Sequence, residues 1–133
     1  MPAPAPTSIE ALVVDDDDFV RSVLSGQLKA AGAASVLTAA NWPAARDLLD
    51  RSPACNLVVS DLDMPGAAGT SFLEELAVTR PGIAVIIISA LDRVVLAATE
   101  KQLRKLQLRL LGVIAKPASL DVLRTLLGSL NVG

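Results

Sequence analysis

The stretch Asn56-Leu-Val-Val-Ser60-Asp61-Leu-Asp-Met-Pro-Gly66 runs from an unbroken apolar segment straight into acids, a proline and a glycine. A continuously apolar segment is typical of a strand in a parallel sheet, because both faces of such a sheet are covered. Proline and glycine indicate that a loop follows. We therefore predict a buried strand over Asn56–Ser60 and a loop that begins at Asp61.

Apolar runs of the same kind lie on both sides of this stretch, and each is followed by a segment whose apolar residues have helical spacing. The further predicted strands are Ile9–Val14, Ser35–Ala39, Ala84–Ser89 and Arg109–Ala115. The predicted helices are Asp17–Ala31, a helix between Asn41 and Pro53, Ser71–Thr79, Arg93–Leu106 and Ser119–Leu127. This alternation predicts an α/β fold built on an open, doubly wound, five-stranded parallel sheet. A closed eight-stranded barrel would need about 250 residues.

Particular residues predict where the helices begin and end. Gly32 and Gly128 predict C-terminal ends, because glycine readily adopts the left-handed conformation that closes a helix. Asn41 predicts an N-cap, and the Ser71 to Glu74 spacing is that of a capping box. The apolar face predicted for the fourth helix consists of Val95, Thr99, Leu103 and Leu106.

Composition excludes several classes of function. The 133 residues suit one domain, and the net charge of −2 argues against a nucleic-acid-binding surface. The chain has no histidine, which excludes serine-histidine-aspartate triads and histidine-ligated zinc. Cys55 is the single cysteine, so no internal disulfide forms. The longest clean apolar run, Ile83–Ile88, is far shorter than the roughly 18 residues of a membrane-spanning helix.

The first residues read as a leader and not as part of the core. Residues 1–8 are rich in proline and alanine, which predicts a flexible, extended arm. They lack the basic and apolar regions of a signal peptide, so we expect a cytoplasmic location. We predict one domain over residues 9–128 and a tail or the start of a linker over residues 129–133.

Polar side chains follow four of the predicted strands at their carboxyl ends, where the chemistry of open α/β sheets gathers. Asp15 and Asp16 follow the first strand, and Asp61 follows the third. Ser89 ends the fourth strand, and Lys116 follows the fifth. Because parallel strands end at one edge of the sheet, we expect these side chains to converge there.

Clustered carboxylates cannot all stay ionised without a cation, and oxygen ligands suit Mg²⁺. Zinc is disfavoured, because no histidine or cysteine lies nearby. A carboxylate such as Asp61 can act as a nucleophile and form an aspartyl-phosphate. The Lys116 ammonium and the Ser89 hydroxyl could then hold phosphoryl oxygens.

Four motifs at these strand ends resemble the response-regulator receiver domain of bacterial two-component signalling. They are Val13-Val14-Asp15-Asp16, Ser60-Asp61-Leu-Asp-Met-Pro-Gly66 with Gly69, Ile88-Ser89-Ala90, and Ala115-Lys116-Pro117. They occur in the family's order, and the resemblance covers residues 9 to about 128. It implies a flavodoxin-like fold of five strand-helix repeats.

The resemblance also implies roles for individual residues. Asp61 would accept a phosphoryl group from the phosphohistidine of a sensor histidine kinase or phosphotransfer protein. Asp15 and Asp16 would position Mg²⁺ beside Asp61, and the backbone carbonyl of Asp63 would complete the protein ligands. Ser89 would be the switch hydroxyl. The resemblance implies that the domain phosphorylates itself from a donor and slowly loses the phosphoryl group again. We therefore do not expect a conventional enzyme.

Two further positions follow from the resemblance. Lys116 would pair with the phosphoryl group, and Pro117 would follow a cis peptide bond. Family members often carry an aromatic residue three positions before the lysine, where this chain has Val113. Because valine has no ring to move between exposed and buried positions, the usual coupling of the switch hydroxyl to an aromatic residue is expected to be weakened or replaced here.

The segment from Ser89 to Lys116 is longer than is usual in the family by about one helical turn. We expect the extra residues in or after the Arg93–Leu106 helix. Leu106-Gln-Leu-Arg-Leu-Leu-Gly112 resembles receivers that precede cyclic-di-GMP phosphodiesterase domains. That resemblance implies an output domain C-terminal to this chain.

The remaining alternatives concern individual features. Asp15 to Asp18 could be an acidic helix cap, and Asp61 could be a turn residue. The whole domain could be a pseudo-receiver that docks without phosphorylation, or an aspartate-nucleophile phosphatase, since Asp61-Leu-Asp63 resembles the signature of that class. The last helix is apolar on more than one face, so it and the Arg93–Leu106 helix are candidates for a homodimer surface.

Overall fold

The computed structural model describes residues 8–63 and 69–131. The strands are β1 (Ile9–Val14), β2 (Ala33–Ala39), β3 (Leu57–Ser60), β4 (Ala84–Ser89) and β5 (Arg109–Ala115). The helices are α1 (Asp18–Ala30), α2 (Trp42–Arg51), α3 (Gly69–Thr79), α4 (Arg93–Leu103) and α5 (Leu120–Asn131). One parallel sheet with the order β2-β1-β3-β4-β5 confirms the predicted fold class.

The strands at the middle of the sheet are buried on both faces, as their unbroken apolar sequences predict. Every residue of β3 and β4 is buried. One face packs against α2, α3 and α4 around Trp42 and Phe72, whose rings stack with centroids 4.8 Å apart. The other face packs against α1 and α5 through Leu28, Leu123 and Leu127. The two covered faces leave the ends of the strands as the places where polar side chains can meet.

Two of the predicted helix ends are confirmed. Asn41 is the N-cap of α2, since its Oδ1 accepts the backbone N–H of Ala44 at 2.8 Å. Gly32 follows α1 with a φ of +115°, a left-handed conformation that side-chain-bearing residues seldom adopt.

Two other predicted ends are wrong. Gly128 does not end α5, which continues to Asn131. Leu127 is buried, and Leu130 packs against the core between the sheet, α1 and α5. This packing outweighs the roughly 1 kcal/mol that a glycine costs inside a helix. The capping box at Ser71 is also wrong, because α3 already begins at Gly69.

The prediction for α4 is wrong in its length and right for only part of its apolar face, since Leu103 is buried as predicted and Val95 is not. The helix ends at Leu103, and its buried residues are Leu96 and Leu103, whereas Val95 is 44% exposed. Leu106 lies beyond the helix and packs, partly buried, against the α2-α3-α4 cluster. The apolar residues of α4 lie on two adjacent sides of the helix, and their spacing does not show which side faces the sheet. In the structure the side with Leu96 is buried and the side with Val95 is exposed.

Two irregular features lie in the segment between α4 and Lys116, where we predicted extra residues. Residues 104–108 form the connection that follows α4, and β5 contains an irregularity. Val85 pairs with Leu110 while Ile86 pairs with Gly112, so Leu111 is an additional residue in β5. Gly112 lies against α5, where a Cβ would come within 3.0 Å of Leu126 Cδ1.

Apart from Ser8, the predicted leader at residues 1–8 lies outside the described residues. Among the helices that the structure describes, none combines the length and the apolar character needed to cross a membrane.

Candidate functional site

Backbone hydrogen bonds just beyond the strands place the polar residues at one edge of the sheet. The Asp15 N–H donates to the Ala39 carbonyl at 3.1 Å, and the Asp61 N–H donates to the Val14 carbonyl at 3.0 Å. The Lys116 N–H donates to the Ser89 carbonyl at 2.9 Å. The sheet pairing therefore continues one residue past each strand, which sets the positions from which these side chains extend.

Three of the predicted acids form one cluster at this edge. One carboxylate oxygen from each of Asp15, Asp16 and Asp61 lies within 4.8 Å of the others. Asp15 is 1% exposed and Asp61 is 4% exposed, whereas Asp16 faces solvent. Two buried carboxylates this close repel each other unless a cation lies between them.

Lys116 supplies such a cation. Its Nζ lies 2.9 Å from Asp15 Oδ2 and 3.0 Å from Asp61 Oδ2. The contact with Asp61 has hydrogen-bond geometry, while the contact with Asp15 is ionic. Burial lowers the pKa of the Lys116 ammonium, but the hydrogen-bonding and charge interactions with both carboxylates outweigh it and leave the pKa above its ordinary value. The ammonium is therefore held in its charged form.

The other carboxylate oxygens are held by backbone N–H groups. Asp15 Oδ1 accepts the Asp17 N–H at 2.9 Å, and Asp61 Oδ1 accepts the Asp63 N–H at 2.9 Å. Asp17 itself caps α1, accepting the N–H groups of Phe19 and Val20. The alternative that the acidic run caps a helix is thus right for Asp17, whereas Asp15 and Asp16 belong to the cluster with Asp61.

The donor set fits a hard divalent cation. Asp15 Oδ2 is buried and, among the described residues, accepts no hydrogen bond, so it retains lone pairs for a ligand. Together with Asp16 and Asp61 it offers oxygen atoms only, which suits Mg²⁺ with several retained waters. Asp63 is exposed and contacts these acids through its backbone N–H, which donates to Asp61 Oδ1.

Ser89 lies at the same edge but apart from the ionic cluster. It is fully buried, and its Oγ accepts the Leu91 N–H at 3.3 Å. In the described part of the chain its hydroxyl makes no hydrogen bond to Asp61 or Lys116. Val113 is partly buried against the α2-α3-α4 cluster. The peptide bond between Lys116 and Pro117 is cis, as the resemblance implied.

Sequence reasoning missed two side chains that hold the loops of this edge. Arg21 Nη1 donates to the Asp15 carbonyl at 2.7 Å, and Nη2 contacts Asp18 Oδ1. Gln27 Nε2 donates to the Ala118 carbonyl at 3.1 Å, which ties α1 to the segment after Lys116. Both lie on the helix that follows the acidic run, but helical spacing alone does not reveal which carbonyl a long side chain reaches.

A family model described as the response regulator receiver domain matches residues 11–128. The chain belongs to this family. The receiver domain is 31% identical over 123 residues to the cyclic di-GMP phosphodiesterase RocR of Pseudomonas aeruginosa, covering 92% of this chain and 31% of that protein. It is 36% identical over 114 residues to a protein-glutamate methylesterase/protein-glutamine glutaminase of Chromobacterium violaceum, covering 84% and 30% respectively. The receiver domain thus spans roughly a third of the length of these relatives.

Comparison with solved structures agrees with the observed architecture. A response regulator receiver domain protein of Clostridium thermocellum superposes with a TM-score of 0.78 at 21% identity, covering 93% of this chain and 94% of that one. At this identity the likeness concerns the fold. The five-stranded, flavodoxin-like architecture of the receiver domain is therefore established by its own topology and by its structural relatives.

Proposed function

We propose that this receiver domain is a signalling switch that accepts a phosphoryl group on Asp61. The observation that carries the proposal is the contact of buried Asp61 with Lys116, inside the cluster that Asp15 and Asp16 complete. A buried carboxylate that contacts a cation and shares a cluster with two further acids suits an acceptor whose negative charge increases during the reaction, because a divalent ion held by the cluster would offset that charge.

The donor in this proposal is a phosphohistidine on a sensor histidine kinase or phosphotransfer protein. A carboxylate oxygen of Asp61 forms the new bond to phosphorus as the phosphorus–nitrogen bond of the donor breaks. The imidazole nitrogen leaves with the electron pair of that bond and takes a proton from solvent. Hydrolysis of the aspartyl-phosphate by water later returns the carboxylate and inorganic phosphate.

Each residue of the site has a separate role in this proposed transfer. The Asp63 N–H donates to Asp61 Oδ1, and Lys116, which contacts Oδ2, would pair with the incoming phosphoryl charge. The buried Ser89 hydroxyl would donate to a phosphoryl oxygen after moving away from the Leu91 N–H. Asp15, Asp16, Asp61 and the backbone carbonyl of Asp63 would hold Mg²⁺. The bound ion would supply positive charge that offsets the carboxylates and the phosphoryl group.

Intact-mass spectrometry after treatment with acetyl phosphate and Mg²⁺ tests the proposal. We expect one phosphoryl group on the unaltered protein and none on Asp61→Asn. Asp121→Asn, which changes an exposed acid on α5, is the matched control and should accept the group normally. Phosphorylated Asp61→Asn would refute the assignment of the acceptor.

Two other outcomes would support different functions. An unaltered protein that takes up no phosphoryl group and binds no Mg²⁺ would be a pseudo-receiver used for docking. Continuous turnover of a generic phosphate ester would indicate an aspartate-nucleophile phosphatase instead.

We further propose that residues 9–128 act as a unit that controls an output domain C-terminal to this chain. The support is the greater length of the relatives, which include a cyclic di-GMP phosphodiesterase and methylesterases. The gene sequence downstream of Gly133 tests this directly.

The same unit is proposed to form a homodimer through α4 and α5. The support is the exposure of three valines on these helices: Val94 at 78%, Val95 at 44% and Val122 at 41%. Light scattering at high protein concentration, with and without a phosphoryl mimic, measures the association. A monomer under both conditions would rule the dimer out.

A further inference from the structure

Arg21 is the only side chain in the described residues that holds the backbone of Asp15. The Asp15 N–H donates to the Ala39 carbonyl, and Oδ1 accepts the Asp17 N–H. The remaining backbone atom, the carbonyl oxygen, accepts Arg21 Nη1 at 2.7 Å. These three hydrogen bonds leave Oδ2 as the one polar atom of Asp15 that is available to the acidic cluster.

The second arm of the guanidinium contacts the Asp18 carboxylate. Arg21 therefore bridges the residue before and the residue after the pair Asp16 and Asp17. Its own backbone N–H also donates to the Asp17 carbonyl at 3.0 Å. The turn that presents Asp16 is thus closed at both ends by one side chain, which is itself only 17% exposed.

We propose that Arg21 is a positioning residue for divalent-cation binding, which acts by holding the backbone between Asp15 and Asp18. The inference rests on the proposed function, because it assigns to the same acidic cluster a residue that fixes its geometry. In this role Arg21 would act through the backbone and the Asp18 carboxylate, without contacting the ion or the phosphoryl group. Partners that orient metal ligands in this way commonly change metal affinity by tenfold or more when they are lost.

An electrostatic effect of Arg21 and a positioning effect of Arg21 predict opposite changes in Mg²⁺ affinity when the side chain is removed. This difference makes the inference testable. Removing a cation from the neighbourhood of the carboxylates would strengthen Mg²⁺ binding if only long-range electrostatics mattered. Removing the anchor would weaken binding, because Asp15 and Asp16 would spend less time in the geometry that the ion requires.

Isothermal titration calorimetry with Mg²⁺ alone is the measurement. We expect Arg21→Ala to weaken binding by about tenfold. Arg21→Lys should recover part of the affinity, because an ammonium can still donate to the Asp15 carbonyl. The control Arg104→Ala, whose partner Glu100 lies on α4, should stay within about twofold of the unaltered protein.

The rate of phosphorylation by acetyl phosphate provides the second measurement. In Arg21→Ala the Mg²⁺ concentration needed for half-maximal rate should rise, while the rate at saturating Mg²⁺ should return to within about twofold of normal, since Asp61 and Lys116 are untouched. General structural damage would lower the saturated rate as well.

Arg21→Ala that binds Mg²⁺ as tightly as the unaltered protein, or more tightly, would overturn the inference while leaving the proposed function intact. An unaltered protein that binds no Mg²⁺ and accepts no phosphoryl group would overturn both.

Discussion

Lys116→Met is expected to tighten Mg²⁺ binding and at the same time to destabilise the ion-free protein. In the structure the ammonium touches both Asp15 and Asp61, which are the buried carboxylates proposed to hold the ion. Mg²⁺ must therefore displace the ammonium from at least one of them. Methionine keeps most of the aliphatic stem and removes the competing charge.

The size of the effect follows from the contacts that are lost. A hydrogen bond to a charged group contributes about 1.5–3 kcal/mol net. The side chain of Lys116 is 22% exposed, so solvent screening moves the value to the lower end of that range. About 1.4 kcal/mol corresponds to a tenfold change in affinity, and we expect Lys116→Met to bind Mg²⁺ about tenfold more tightly.

Without Mg²⁺ the same variant leaves Asp15 and Asp61 buried with no counter-ion, which should lower the free energy of unfolding by about 2 kcal/mol. Thermal denaturation with and without Mg²⁺ measures both effects, because a ligand stabilises the folded state in proportion to its affinity. The rise in melting temperature on adding Mg²⁺ should be larger in Lys116→Met than in the unaltered protein.

Lys105→Met is the matched control, since Lys105 is exposed in the connection between α4 and β5. It should change neither the melting temperature nor the response to Mg²⁺. If Lys116→Met binds Mg²⁺ no more tightly than the unaltered protein, the lysine does not compete for the two carboxylates and the reasoning is refuted.

Three further predictions concern other buried groups. Ser89→Ala should still accept a phosphoryl group but lose the amide chemical-shift changes in β4 and β5 that phosphorylation produces; shift changes as large as those of the unaltered protein would contradict the switch role, and Ser22→Ala on the exposed face of α1 is the control. Arg80→Ala should lower the free energy of unfolding in urea by about 2 kcal/mol, because its guanidinium holds the carbonyls of Leu49, Ser52 and Cys55. Arg51→Ala, which breaks a surface pair, should cost no more than about 0.5 kcal/mol, and equal losses would show that Arg80 is not a structural anchor. Burial raises the pKa of the Cys55 thiol, so the thiol's contribution to stability is constant at low pH and falls as the pH rises past the ordinary thiol pKa of about 8.5. Cys55→Ala should remove that part of the pH dependence in denaturation measurements, and an unchanged profile would contradict it.

The sequence alone determined the fold class and the set of residues at the carboxyl edge of the sheet. Apolar runs such as residues 57–59 of β3 are typical of strands that are covered on both faces, and their alternation with amphipathic helices indicates a parallel sheet. Parallel strands end at one edge, which is why the sequence predicts that Asp15, Asp61 and Lys116 meet there.

Tertiary packing decided what local patterns left open. The apolar residues of α4 have two adjacent faces with similar spacing, and contact with the sheet buried Leu96 and not Val95. Gly128 fits the usual pattern for a helix end, yet α5 continues to Asn131 because Leu127 and Leu130 pack against the core. Local propensities are worth about 1 kcal/mol or less per residue, so burial of larger side chains overrides them.

The supporting contacts of the site were also decided only by the tertiary structure. That Arg21 reaches the Asp15 carbonyl, and that Lys116 lies between two carboxylates, depends on the direction of long side chains. Those directions are set by neighbours that are distant in sequence, because a flexible side chain has many rotamers of similar energy until the folded surroundings select one.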